Sequence, residues 1–233
     1  MKEYASTNIR NIALVGHGKS GKTSIAEDCL FNTGAIKRRG SIADGTMASD
    51  YEPEETRREL SIQTSLLACE WLDHKLNILD TPGYPDFVGE VKSALQAADS
   101  ALVVISAVSG IEVETEKVWR YAEALDLPRA FFVNKIDREH ADFQSVVNEL
   151  RLRFGTGVVP IQLPVGRDEV EEARQTIIEG VAEINNNLLE KYIEGETLDE
   201  REVAEALIEG IETGKIFPVL CGSASLNVGM HAS

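Results

Sequence analysis

A layered α/β domain around a mainly parallel sheet is what this sequence predicts, on three observations. Strand-like and helix-like apolar periods alternate along most of the chain. Aliphatic residues are plentiful while aromatics make up only 6%. A glycine-rich run, GHGKSGKT at 16–23, stands where a strand pattern gives way to a helix pattern. With 233 residues the chain can bury one substantial core and carry a small appended lobe.

The first strand is expected at 9–15, where IRNIALV leads into the glycine-rich run, and the first helix follows through Ile25, Ala26 and Leu30. Further strands are expected at 64–71, 76–79, 101–106, 130–133, 158–163 and 217–220. Helix-length segments separate most of them, as parallel crossovers require. Only LDHK, 72–75, lies between the second and third, which suits a hairpin and makes one edge strand antiparallel. Residues 33–58 are rich in Gly, Asp, Glu and Arg without a steady apolar period, so a long mobile loop is expected there. From 168 to 212 acidic residues outnumber basic ones by about five to one. Ile177, Val181, Ile184, Leu188 and Leu189, then Val203, Leu207 and Ile211, recur at helical spacing, predicting two acidic amphipathic helices with a break near 195–199. Their charged faces read either as solvated surface or as a docking face for a basic partner.

The net charge of −16 argues against general nucleic-acid affinity and against DNA, leaving room only for a local RNA contact. Cys29, Cys69 and Cys221 are scattered in apolar settings without a CxxC pattern, which reads as free buried thiols in a reducing cytosol. The start, MKEYASTN, has no signal-peptide core, and the longest apolar run, 101–108, is too short for a membrane span. A soluble cytoplasmic protein is expected.

The chemistry begins at the glycine-rich run. Gly16, Gly18 and Gly21 leave room for backbone N–H groups to wrap a polyphosphate, and the helix beginning near Lys22 adds its positive end. The Lys22 ammonium would bridge the outer phosphates and the Thr23 hydroxyl would take one position on magnesium. With His17, Lys19, Ser20 and Ser24 these residues form the expected phosphate contact. DTPG at 80–83 ends an apolar strand; Asp80 can hold magnesium through water, and the Gly83 N–H can reach a terminal phosphate. NKID at 134–137 also follows a buried strand. Asp137 can accept two hydrogen bonds from the guanine N1–H and exocyclic amine, with Asn134 bracing the loop and the Hoogsteen edge and the Lys135 stem over the ring. Adenine cannot satisfy that edge, and such mismatches reach about 10⁴-fold discrimination. CGSA at 221–224 follows the last strand, where the Ala224 N–H is placed to donate to guanine O6 beside Ser223.

These elements, in this order, resemble the translational GTPases, most closely elongation factor G and the elongation factor G-like proteins. The likeness runs through GHGKSGKT, RRELSIQTS, DTPGYPDFVGEV, FFVNKIDRE, LLEKYIEGE and PVLCGSASLNVG. It implies a Ras-like P-loop GTPase domain over 1–165, a reduced acidic helical insert over 166–213, and a return at 214–233 that carries the guanine loop. The implied activity is hydrolysis of GTP to GDP and phosphate with magnesium, weak in isolation and stimulated by the ribosome. A binding module without useful turnover, and a ribosomal-protection GTPase of the tetracycline-resistance type, share the same motifs and stay open.

Departures from the family pattern matter as much. Where relatives carry His after DTPG to position the attacking water, this chain has Tyr84, whose phenol titrates near pH 10 and stays neutral, so slow hydrolysis is expected. The family's RGITI reads RELSI at 58–62: Ser61 keeps the hydroxyl for the magnesium shell, while Glu59 puts an anion where Gly is usual and should disfavour closure. Lys19 stands where many relatives have an Asp that helps hold a monovalent cation, and it reads either as an ammonium that replaces that ion or as an exposed lysine. The acidic helices resemble the part that meets the basic ribosomal stalk protein. The sequence stops soon after the guanine loop, so a fragment is expected, with one sheet face partly uncovered.

Overall fold

The computed structural model describes residues 2–42, 44–49, 53–58, 60–164, 170–183, 185–196 and 198–229. Its strands are β1 (Ile9–Val15), β2 (Ser65–Trp71), β3 (His74–Asp80), β4 (Ser100–Ser106), β5 (Arg129–Asn134), β6 (Val158–Pro160) and β7 (Phe217–Cys221). Among the described residues they form one seven-stranded sheet in the order β2-β3-β1-β4-β5-β7-β6. Every pairing is parallel except β2 with β3, as the short LDHK connection requires. The hairpin is tighter than the sequence suggests, because Trp71 pairs with His74 and only Leu72 and Asp73 turn the chain, both at positive φ, 44° and 60°. That is the backbone hand a two-residue turn between right-twisted strands needs.

The helices are α1 (Lys22–Asn32), α2 (Pro53–Arg58), α3 (Val88–Ala97), α4 (Val113–Glu123), α5 (Phe143–Phe154), α6 (Val170–Ala182), α7 (Asn186–Ile193) and α8 (Glu200–Glu212). Successive β4 residues point to opposite faces, so Val103 and Ile105 enter the core under α3, α4 and α5, while Val104 enters the one under α1. The first core centres on Trp119, stacked on Phe131 with ring centroids 4.7 Å apart and flanked by Phe154 and Phe217. The α1 side is more thinly covered: Leu14, Ile25, Leu30 and Phe132 are buried, but Ile12, Leu67, Leu102 and Leu220 only partly.

Three expectations need correction. The strand expected at 158–163 ends at Pro160, since Ile161 makes one further bond to Val219 and Gln162 turns its side chain to the Cys221 N–H at 3.3 Å. The acidic segment forms three helices rather than two, because the Asn185 side chain accepts from Asn187 N and Leu188 N and starts α7 afresh. Ile184 lies outside the described residues. Val181, Leu188, Val203 and Ala206 gather with Val159 of β6 and Ile216 into a small core at the sheet edge. Finally, the loop after α1 is tethered rather than free. Glu27, 3% exposed on α1, accepts from Gly40 N at 2.7 Å and Ala48 N at 2.8 Å. Further along, α2 carries Glu55, which accepts from Ile62 N and Gln63 N.

Among the described residues, no helix is long and apolar enough to cross a membrane. Cys69 and Cys221 are buried, Cys29 is half-buried, and all three are free thiols. Burial pushes Cys29 up to about 12 and Cys221 up to about 11, so neither is a thiolate at neutral pH.

Candidate functional site

The carboxyl ends of β1, β3, β5 and β7 open onto a cavity of about 720 Å³. The loop between β1 and α1 forms its floor. Gly21 sits at φ 103° with Asn134 Nδ2 where a Cβ would be, so only glycine serves at that point. Lys22, 6% exposed, donates to Gly16 O at 3.0 Å and His17 O at 2.9 Å, leaving one of its three ammonium hydrogens for a ligand. Burial pushes Lys22 down to about 8, against the pull of the Asp80 and Glu112 carboxylates. Ser20 is buried, and its hydroxyl has no hydrogen-bond partner among the described residues. His17 Nε2 lies 3.3 Å from Glu112 Oε1 at the start of α4, while Ser24 faces the cavity.

One wall collects the oxygen groups suited to a hard cation. Thr23 Oγ1 donates to Asp80 Oδ2 at 2.7 Å and stands 3.4 Å from Ser61 Oγ. One carboxylate and two hydroxyls fit magnesium, which keeps several waters and takes the rest of its shell from phosphate. Among the described residues there is no cluster of three His, Cys, Asp or Glu for a softer metal. The contact between Ser61 and Thr23 is made through Glu55, whose carboxylate holds the Ile62 and Gln63 N–H groups just beyond it. Ser61 is therefore closed onto the site here, while Glu59, from which a closure penalty is expected, lies outside the described residues. Gly83 comes so close to Lys22 Nζ and Gly18 that a side chain on it would strike both. Beside it the Tyr84 ring lies flat on Gly18, with its Cζ 3.0 Å from where a Cβ would stand.

The opposite wall is stitched by Asn134. Its Nδ2 donates to Ser20 O at 3.0 Å, and its Oδ1 accepts from Lys135 N at 2.8 Å and from Ala224 N at 3.0 Å. The Ala224 N–H, expected to face guanine O6, here donates to Asn134, which is 2% exposed and braces three loops as its loop-supporting role requires. The Lys135 stem crosses the cavity, and its ammonium donates to Lys19 O at 2.6 Å. Lys19 takes φ 63°, and its charge helps to lower Lys135, after burial and Arg138. Asp137 accepts from Ser225 Oγ at 3.3 Å, and the hydroxyls of Ser223 and Ser225 hold its carboxyl below the usual range.

Lys22, Gly83, Asn134 and Ala224, from four separate motifs, thus line one cavity, while Asp80 and Asp137 do not line it but are bonded to the lining residues Thr23 and Ser225. Sequence reasoning missed Ser225, Glu27 and Glu55. No pattern marks them, because buried carboxylates that accept backbone N–H groups look in sequence like ordinary helix-surface acids.

The family described as elongation factor Tu GTP binding domain matches residues 7–232 of the chain. The crystal structure of ttk003000868 from Thermus thermophilus is similar throughout: 35% identical, with a TM-score of 0.86 over 97% of this chain. The present chain spans 39% of that protein's length.

Proposed function

Because the chain belongs to the elongation factor Tu GTP binding domain family, we propose that this cavity binds GTP and GDP and that the chain hydrolyses GTP slowly or only when a ribosome stimulates it. The observation that carries the reading is Asn134, which joins the phosphate-type loop at Ser20 to both loops suited to a guanine base. Lys22, the loop N–H groups and the Gly83 N–H then face the phosphates, while Asp137 reads the base edge. Thr23, Ser61 and Asp80 would hold magnesium, which supplies charge neutralisation at the phosphate oxygens. Tyr84, whose ring lies against Gly18 of the phosphate loop, is the candidate for orienting the attacking water. A phenol cannot supply the cationic charge an imidazole can, which favours a slow intrinsic rate.

The acidic groove between α7 and α8, lined by Glu190, Glu194, Glu202, Glu205 and Glu209, fits a basic ribosomal protein. Titration with GDP, GTP and ADP, followed by single-turnover phosphate release with and without ribosomes, tests the whole reading. Preference for guanine with ribosome-stimulated release supports it; equal ADP affinity removes the base assignment, and no release under any condition leaves a binding module. Charge reversal at Glu202, Glu205 and Glu209 should lower the ribosomal stimulation alone.

Lys22 makes nucleotide affinity depend on pH with a definite sign. Its free-site value near 8 must rise when phosphate binds, so binding takes up a proton. Affinity is therefore flat below about pH 7 and falls above pH 8, by at most about tenfold per unit. Calorimetry at pH 8.5 in two buffers of different ionisation enthalpy should show uptake of up to about one proton. No uptake would mean that Lys22 is already fully charged in the free site.

A further inference from the structure

Arg39, on the loop between α1 and α2, belongs to none of the motifs above, yet it lines the cavity and touches two of the elements around it. Its Nε pairs with Asp28, a carboxylate of α1 with no exposed surface, and its Nη1 donates to Ser225 O at 3.1 Å. The Ser225 hydroxyl donates in turn to Asp137 Oδ2 and shares a 3.0 Å hydrogen bond with Ser223 Oγ. Two further features fix the geometry. Glu27 holds the next residue, Gly40, where a side chain would run into Thr46 O. Asn32 and Asn227 exchange a reciprocal pair of amide bonds at 2.9 and 2.8 Å, seating the same serine-rich loop on α1. A guanidinium can serve the buried carboxylate and the carbonyl together because its donors form a rigid fork, which a lysine ammonium cannot reproduce.

We propose that Arg39 is a positioning residue for base recognition, acting through Ser225 to set the Asp137 carboxylate that discriminates guanine from purines lacking its 2-amino group. The inference rests on the guanine reading of the cavity and adds a residue outside its motifs. It follows that the loop between α1 and α2 and the loop facing the base are joined through one side chain.

The test compares GDP, IDP and ADP affinities for wild type, Arg39→Lys and the paired variant Asp28→Asn/Arg39→Gln, with thermal unfolding of each. IDP lacks the 2-amino group, so the GDP-to-IDP ratio reports where Asp137 stands, whereas a general loosening weakens both ligands alike. Arg39→Lys keeps a cation for Asp28 and should weaken GDP by about 5- to 20-fold while narrowing the GDP-to-IDP preference about threefold or more. The paired variant removes both charges together and gives the same readout should the lysine variant not fold. An unchanged ratio in the folded variants overturns the role of Arg39. A wild-type chain that binds ADP as tightly as GDP overturns instead the guanine reading on which it rests.

Discussion

Replacing Asp137 by alanine is expected to weaken GDP binding by about 10²–10⁴-fold, with little effect on folding. The carboxylate is ionised at neutral pH, as an ordinary aspartate is, and the Ser223 and Ser225 hydroxyls hold it lower still, so both hydrogen bonds it would make to a guanine edge are charge-assisted. Each such bond is worth about 1.5–3 kcal/mol, and two of them give the range above. The fold loses little, since the protein partners of Asp137 are serine hydroxyls and Arg138 at 3.8 Å. Fluorescence or calorimetric titration with GDP and ADP provides the check. The reading fails if ADP affinity drops in parallel, or if GDP affinity survives the substitution.

The largest effect on stability is expected from Trp119→Ala, at about 3–5 kcal/mol and toward the upper end. The indole is 4% exposed and lies within 4.7 Å, centroid to centroid, of three phenyl rings from β5, α5 and β7. The Arg129 guanidinium also rests 4.4 Å from its centre. Removing the ring opens a cavity where four elements meet and leaves a buried cation with half its aromatic cover. For a chain of this size the melting temperature should fall by about 6–20 °C. Urea unfolding followed by far-UV circular dichroism measures the free energy directly. A loss below about 1 kcal/mol would mean that the neighbouring side chains refill the space.

The alternation of strand and helix, the antiparallel edge and the approximate strand positions were all legible, because burial on both faces forces continuous apolar runs such as those of β4 and β5. The residues gathered at the cavity were legible for a different reason: wrapping phosphate and ending on a base edge require particular residue types at fixed spacing. What the sequence concealed were contacts between distant segments. Nothing in the pair Glu27 and Asp28 announces that both carboxylates turn inward to hold the loop 39–48. The break before α7 was hidden because an Asn-rich stretch does not say which Asn will cap, and Asn185 takes that place where Leu188 joins the buried cluster with Val159 and Ile216. For Asn134 the residue type pointed to bracing, but which backbone groups it would brace depends on the distant Ser20 and Ala224.

The ring of Tyr84 resting on Gly18 makes the occupants of these two positions interdependent. A branched residue introduced at 18 would expel the phenol from its seat. In this chain that obstacle is absent, so the side chain at 84 already covers the phosphate loop.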